Sequence, residues 1–231
     1  MTEPSAQRPH RARKGDGPLL RERILQVAME ELVSSERTES LTMRSIAAKV
    51  GVTAPALYLH FPTKEDLLFE AAERLAAISV ELRKKIGNTG HPLADLLARM
   101  GAIIVHAPTY PDVYRTLMMS DSAAAPERFR GDAIFEMAPF QMSLESVRAA
   151  IASGDLPSDL DPHMASLLIM FVMHGYMSLR LAKQDMTLPT GNELIEAISR
   201  LLVRGLGGDP AIVDLVVGVA VETIDLRPQV G

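Results

Sequence analysis

The 231-residue sequence has no cysteine and no tryptophan, and aromatic residues make up only 4% of it. Without cysteine there is no disulfide, no thiolate metal site and no cysteine nucleophile, and the chain suits a reducing, cytoplasmic setting. Few aromatics and 13 methionines favour helices over strands. No stretch of useful length alternates apolar and polar residues as a half-buried strand does. The polar, proline-containing N-terminus lacks the apolar core of a secretory signal. The long apolar run Met164 to Ala182 is interrupted by His174, Gly175 and Arg180. Polar and charged groups at mid-span are expensive in lipid, so this run predicts a largely buried helix and no membrane partner. Catalytic signatures are also lacking: no serine elbow, no phosphate-cradling glycine loop and no HExxH pair. His163 and His174 stand about three helical turns apart, too far for a shared metal. The chain is therefore expected to be no enzyme, with no catalytic residues, no metal site and no cofactor.

What the sequence does have is an ordinary globular balance, 47% apolar and 23% charged, enough for one large domain or a small one joined to a medium one. The net charge of −5 is unevenly spread. Residues 1–66 carry 10 Lys+Arg against 9 Asp+Glu, and the remainder 14 against 20. Arg8, Arg11, Arg13 and Lys14 make residues 1–18 a basic segment without apolar periodicity, expected to be a flexible arm. A local basic patch can bind phosphate on an acidic chain.

The apolar spacing predicts an all-helical chain. Helices are expected over 20–36, 42–50, 54–60 and 64–86. The glycines at 87 and 90 then mark a break. Longer, more apolar helices are expected near 91–106, 111–121, 126–153, 161–184, 190–206 and 209–224. Thr42 is a candidate N-cap, and Thr63 to Asp66 reads as a capping box. Asp161-Pro162 and Asp209-Pro210 pair an acceptor with a proline at the first helical position. Thr190 to Glu193 fits another capping box.

The segment TMRSIAAKVGVTAPALYLHF, Thr42 to Phe61, carries the functional signal. It reads as two short helices joined by a tight turn. Ile46, Val50, Val52 and Leu57 are spaced to hold the helices together. Ala47 is small where they cross, and Gly51 makes the turn. The second helix of such a unit offers its first turn to base edges in the major groove. Here Ala54, Pro55 and Ala56 can make apolar contact with thymine methyls, while Thr53 can cap the helix or bond a phosphate or base. Arg44 is the candidate for a bidentate guanine contact. Tyr58, His60 and Lys64 are donors for backbone phosphates, and Thr42 can bond one at its helix N-terminus.

With Pro62 to Leu68 appended, this segment resembles the DNA-binding domain of the tetracycline-repressor (TetR) family, the run Leu57-Tyr58-x-His60-Phe61 followed by Lys64-Glu65-x-Leu67 most of all. The resemblance covers residues 20–68 closely and the rest as architecture. It implies a helix-turn-helix head over 19–68 joined by a long helix to a ligand-binding, dimerising body over 69–231. It also implies phosphate contacts by Tyr58 and Lys64. Arg44, Thr53, Ala54, Pro55, Ala56 and Leu59 are implied to face the groove. The body's many methionines, with a few polar groups among them, fit an apolar cavity. His106, Met118, Met137, Gln141, Met170 and His174 are its candidate lining. The resemblance further implies a dimer formed by the last long helices, with 161–184 and 190–206 the leading candidates. Together these features predict a homodimeric, sequence-specific regulator, a repressor released from a near-palindromic operator in double-stranded DNA by an apolar small-molecule effector. The rival reading is a helical small-molecule-binding or interaction protein with a vestigial head, suggested by the small side chains of Ala54 and Ala56.

Overall fold

A computed structural model describes residues 17–34, 41–87, 89–106, 110–121, 123, 125–183, 185–187, 189 and 191–217. Of the arm expected over residues 1–18, residues 1–16 lie outside the described residues, as do the cap at Thr190 and the end of the last helix beyond 217; Gly17 and Pro18 belong to the first helix instead. Every regular element among the described residues is helical.

The first helix, α1 (Gly17–Ser34), begins three residues before the apolar pattern does, because Pro18 is tolerated in a first turn whose N–H groups lack partners anyway. It buries Ile24, Leu25, Ala28, Met29 and Leu32. Helix α2 (Met43–Val50) starts at a reciprocal cap: Ser45 N–H donates to the Thr42 hydroxyl at 3.0 Å, and Thr42 N–H donates to Ser45 Oγ at 3.0 Å. It ends at Gly51, whose φ of 83° lies in the left-handed region that glycine enters without strain. From there Val52 N–H donates back to the Ala47 carbonyl at 3.0 Å, which turns the chain into α3 (Ala54–Tyr58). Thr63 and Asp66 form a second reciprocal cap, opening α4 (Lys64–Arg83).

The body begins with α5 (Pro92–His106). Its start is pinned by the buried Asp155 carboxylate, which accepts from Leu93 N–H at 3.1 Å and lies 2.9 Å from His91 Nδ1. The expected helix over 111–121 is a short α6 (Pro111–Tyr114) running into a π turn over Arg115–Met119. The expected helix over 126–153 is broken into three: a 3₁₀ turn at Glu127–Phe129, α7 (Ala133–Glu136) and α8 (Ala138–Ser153). Pro139 explains the second break. In a continuous helix it would lack a donor and its ring would strike the Phe135 carbonyl; the chain instead extends at Met137, with ψ of 144°. Helix α9 (Pro162–Ala182) is capped by the Asp161 carboxylate, and α10 (Gly191–Leu206) and α11 (Ile212–Val217) follow.

Two apolar clusters form. The head cluster joins α1, α2, Leu57, Phe61 and the first half of α4 as far as Leu75. The body cluster joins α5, α8, α9, α10 and α11 with Ile86, and Leu82 of α4 packs against it. Helix α4 is thus common to both. The α6 segment also reaches the head, because Val113 and Leu117 pack against the head cluster.

Candidate functional site

The helix-turn-helix is built from inside out. Leu57 is fully buried and Phe61 nearly so, with the Arg21 guanidinium 4.7 Å from the Phe61 ring centre. These two side chains fill the head core, which leaves Tyr58 outward at 51% exposure and Leu59 at 86%. Thr53, Pro55, Thr42 and Arg44 are exposed; Ala54, Ala56, His60 and Lys64 are half-buried. The ten residues expected to face DNA therefore all keep some surface, whereas Ile46, Ala47, Val50 and Leu57 between them are buried.

Several of these groups have local roles that bear on how they can meet DNA. The Thr42 amide and hydroxyl are both engaged in the α2 cap, so its hydroxyl can offer a phosphate only the bonding capacity left over. Thr53, by contrast, makes no side-chain cap to α3, and its hydroxyl is open to a phosphate or base. Arg44 makes no hydrogen bond or ion pair among the described residues. An exposed guanidinium at the start of α2 is available for a bidentate contact. Its neighbour Lys49 is occupied by Glu31.

The body contains a partly open cavity of about 250 Å³ between α4, α5, α6 with its π turn, α8 and α9. Met118, Met137, Met170 and His174 line it together with Met100, Met142, Met173 and Met177. Gln141, expected on this wall, is not there: its amide donates to the Phe135 carbonyl, which the break before α8 leaves without a helical partner. The side chain of His106 lies outside the described residues.

The polar groups at the cavity are few and arranged. The Tyr114 hydroxyl lies 2.7 Å from His174 Nδ1, and Ser178 Oγ lies 3.1 Å from His174 Nε2. Both ring nitrogens of His174 are thereby satisfied from α6 and from its own helix. Burial pushes the Tyr114 phenol well above its ordinary value, so it remains a neutral donor or acceptor. Arg99 donates to the Ile86 carbonyl at 3.2 Å and to Ser146 Oγ at 3.3 Å. Arg83, at the last turn of α4, is 6% exposed and its Nε has no partner. Burial lowers its guanidinium to about 10, still protonated at neutral pH. Ser143 Oγ of α8 is likewise buried and unpaired.

Arg83, Ser143 and the Tyr114–His174 contact were not singled out from the sequence. For Arg83 a signal exists. Ala72, Ala76, Ser79 and Arg83 fall at four-, three- and four-residue steps, which places the arginine on the inward stripe of α4.

Residues 24–71, from the middle of α1 to α4, match the family of bacterial regulatory proteins named for tetR. Over a longer span the chain is 29% identical to the HTH-type transcriptional regulator AcrR of Shigella flexneri, across 181 residues, 73% of this chain and 79% of that one. The chain belongs to the TetR family. The tetracycline repressor protein class C of Escherichia coli is 41% identical over 61 residues, but this covers only 26% of the present chain and 27% of the repressor. Among solved structures, RolR in complex with resorcinol shares the fold, with a TM-score of 0.68 at 12% identity, covering 89% of this chain and 96% of RolR. The protein is accordingly a TetR-family transcriptional regulator that binds DNA, and not an enzyme. In this TetR-family chain the matched segment includes all ten residues proposed to face DNA. The cavity lies wholly outside that segment, which it meets only through α4, begun within the segment and continued along the cavity wall.

Proposed function

We propose that this TetR-family regulator is a homodimeric repressor, released from a near-palindromic operator when an apolar small molecule occupies the cavity. The observation that carries the reading is shared structure. Leu75 belongs to the head core and also lines the cavity, and Val113 and Leu117 line the cavity while packing against that core. An effector that binds better when these side chains are displaced shifts the population away from the DNA-binding arrangement. The effector site is the cavity formed by Met118, Met137, Met170 and His174, and its walls are apolar enough to exclude a strongly hydrated ligand.

The dimer is read from α9 and α10. Met164, Leu168, Phe171 and Leu179 lie on one exposed face of α9, with Gly175 open to solvent among them, and Leu201 is exposed on α10. A helix of this length and composition is also apolar enough to cross a membrane. The packing of its other face against α8 and α10, with His174 and Arg180 on it, favours a second copy of the chain as the cover instead.

The test is fluorescence anisotropy on DNA from the region upstream of the protein's own coding sequence, against scrambled DNA, at two salt concentrations. A preference that persists at the higher salt supports an operator, and loss of the signal on adding a cavity ligand supports release. A ligand that binds free and DNA-bound protein equally well overturns release. Within the head, Arg44→Ala is expected to cost about 1–3 kcal/mol on the operator and little on scrambled DNA, because base contacts specify. Tyr58→Phe and Lys64→Ala are expected to weaken both DNAs alike, because phosphate contacts position. Equal losses on the two DNAs for Arg44→Ala would remove it from base reading.

A further inference from the structure

Two buried polar atoms facing the cavity region have no partner among the described residues: Arg83 Nε, on α4, and Ser143 Oγ, on α8. Both residues line the same cavity. Arg83 has no ion pair or hydrogen bond among the described residues, and no aspartate or glutamate is among the described residues lining the space around it. The other cation on the wall, Arg99, is held by the Ile86 carbonyl and Ser146. Buried charges are ordinarily paired, and a guanidinium left alone in an apolar chamber is costly to the empty protein.

The chemistry of the missing partner follows. A cationic effector would be repelled by Arg83 and Arg99. A neutral one could accept a hydrogen bond but would leave the buried charge unanswered. A strongly hydrated dianion would lose too much on entering a chamber walled by methionine, leucine and phenylalanine. A carboxylate on an apolar body answers each requirement. Its two oxygens match the planar fork of a guanidinium and can also accept from a serine hydroxyl. We infer that the effector of this cavity is a small apolar carboxylic acid, bound as the anion with its carboxylate on Arg83 and Ser143 and its apolar part among the methionines. This rests on the reading of the cavity as the effector site and specifies which chemical class it takes.

Binding is measured on the full-length protein without DNA, by calorimetry and by thermal shift. The probes are octanoate, phenylacetate and benzoate, each beside its primary amide, which keeps the shape and an acceptor but not the charge. At least one acid is expected to bind ten-fold or more tightly than its amide. Arg83→Met is expected to erase that difference by weakening the acid far more than the amide, and Arg83→Lys to restore part of it. The unliganded Arg83→Met protein is expected to melt no lower than wild type, since an unpaired buried charge is removed. If it fails to fold, Ser143→Ala decides, with an expected several-fold loss for the acid and little change for the amide. Amides that bind as tightly as their acids, an acid preference that survives Arg83→Met, or no binding by any of the three acids overturns the inference. DNA release is scored separately. Acids that bind without releasing DNA leave the inference standing and overturn the release mechanism, and release by a neutral compound alone does the reverse.

Discussion

Replacing Phe61 by alanine is expected to abolish operator binding at 37 °C while leaving cavity binding intact. Phe61 is among the largest fully buried side chains, and it sits where the turn after α3 closes onto α1 and α4. Truncating a buried phenylalanine costs about 3–5 kcal/mol. The head core is a small cluster, and small cores carry little reserve stability. The body has a separate cluster, built from α5, α8, α9, α10 and α11, that does not include Phe61. Circular dichroism should therefore show part of the helical signal melting early. Anisotropy should show the operator lost, and calorimetry should show that the cavity still binds. Operator affinity within two-fold of wild type, or loss of cavity binding in step with the head, would show that the two clusters do not behave as separable units.

The second large effect is expected from Phe171→Glu. Phe171 is 56% exposed at the middle of the apolar stripe on α9. A charge there, facing its own copy across a two-fold axis, places two like charges against each other in an apolar contact. Sedimentation should show a monomer. A dimer engages both half-sites of an operator by making the second contact intramolecular, so operator affinity should fall by about 10²–10⁴-fold. Binding of one half-site by one head should remain. A variant that stays dimeric would move the interface off α9.

The head was readable because its determinants are local. Thr42, Ser45, Ala47, Gly51, Leu57 and Phe61 act within twenty residues of one another, and caps, turn and crossing each require a particular residue type. The burial of Leu57 and Phe61 in the head core also accounts for the outward position of Tyr58. The body was readable as helices but not in its breaks. The apolar periodicity of 126–153 runs across Pro139, and only packing decides whether a helix with an internal proline kinks or stops. The π turn at Arg115–Met119 has no compositional mark. The cavity's polar groups were the least legible. Tyr114 meets His174 from 60 residues away, Arg83 has no hydrogen-bond partner among the described residues, and Gln141 serves a backbone carbonyl instead of the cavity. Long-range pairing and its absence are properties of the assembled walls.

Helix α4 sets an angular tolerance for the whole molecule. Its 20 residues run from the cap at Thr63, beside the groups proposed to face DNA, to Arg83 at the cavity. At 1.5 Å per residue such a helix is about 30 Å long, so a tilt of about 5° about its cavity end carries the other end through about 2.6 Å. In a two-fold dimer the heads would move in opposite senses, changing their separation by about 5 Å, more than one base-pair rise of ~3.4 Å. Two heads spanning about 34–36 Å of duplex could not then both keep their phosphates. A displacement smaller than a methyl group, made beside Arg83, would thus be read by the operator as a loss of helical phase.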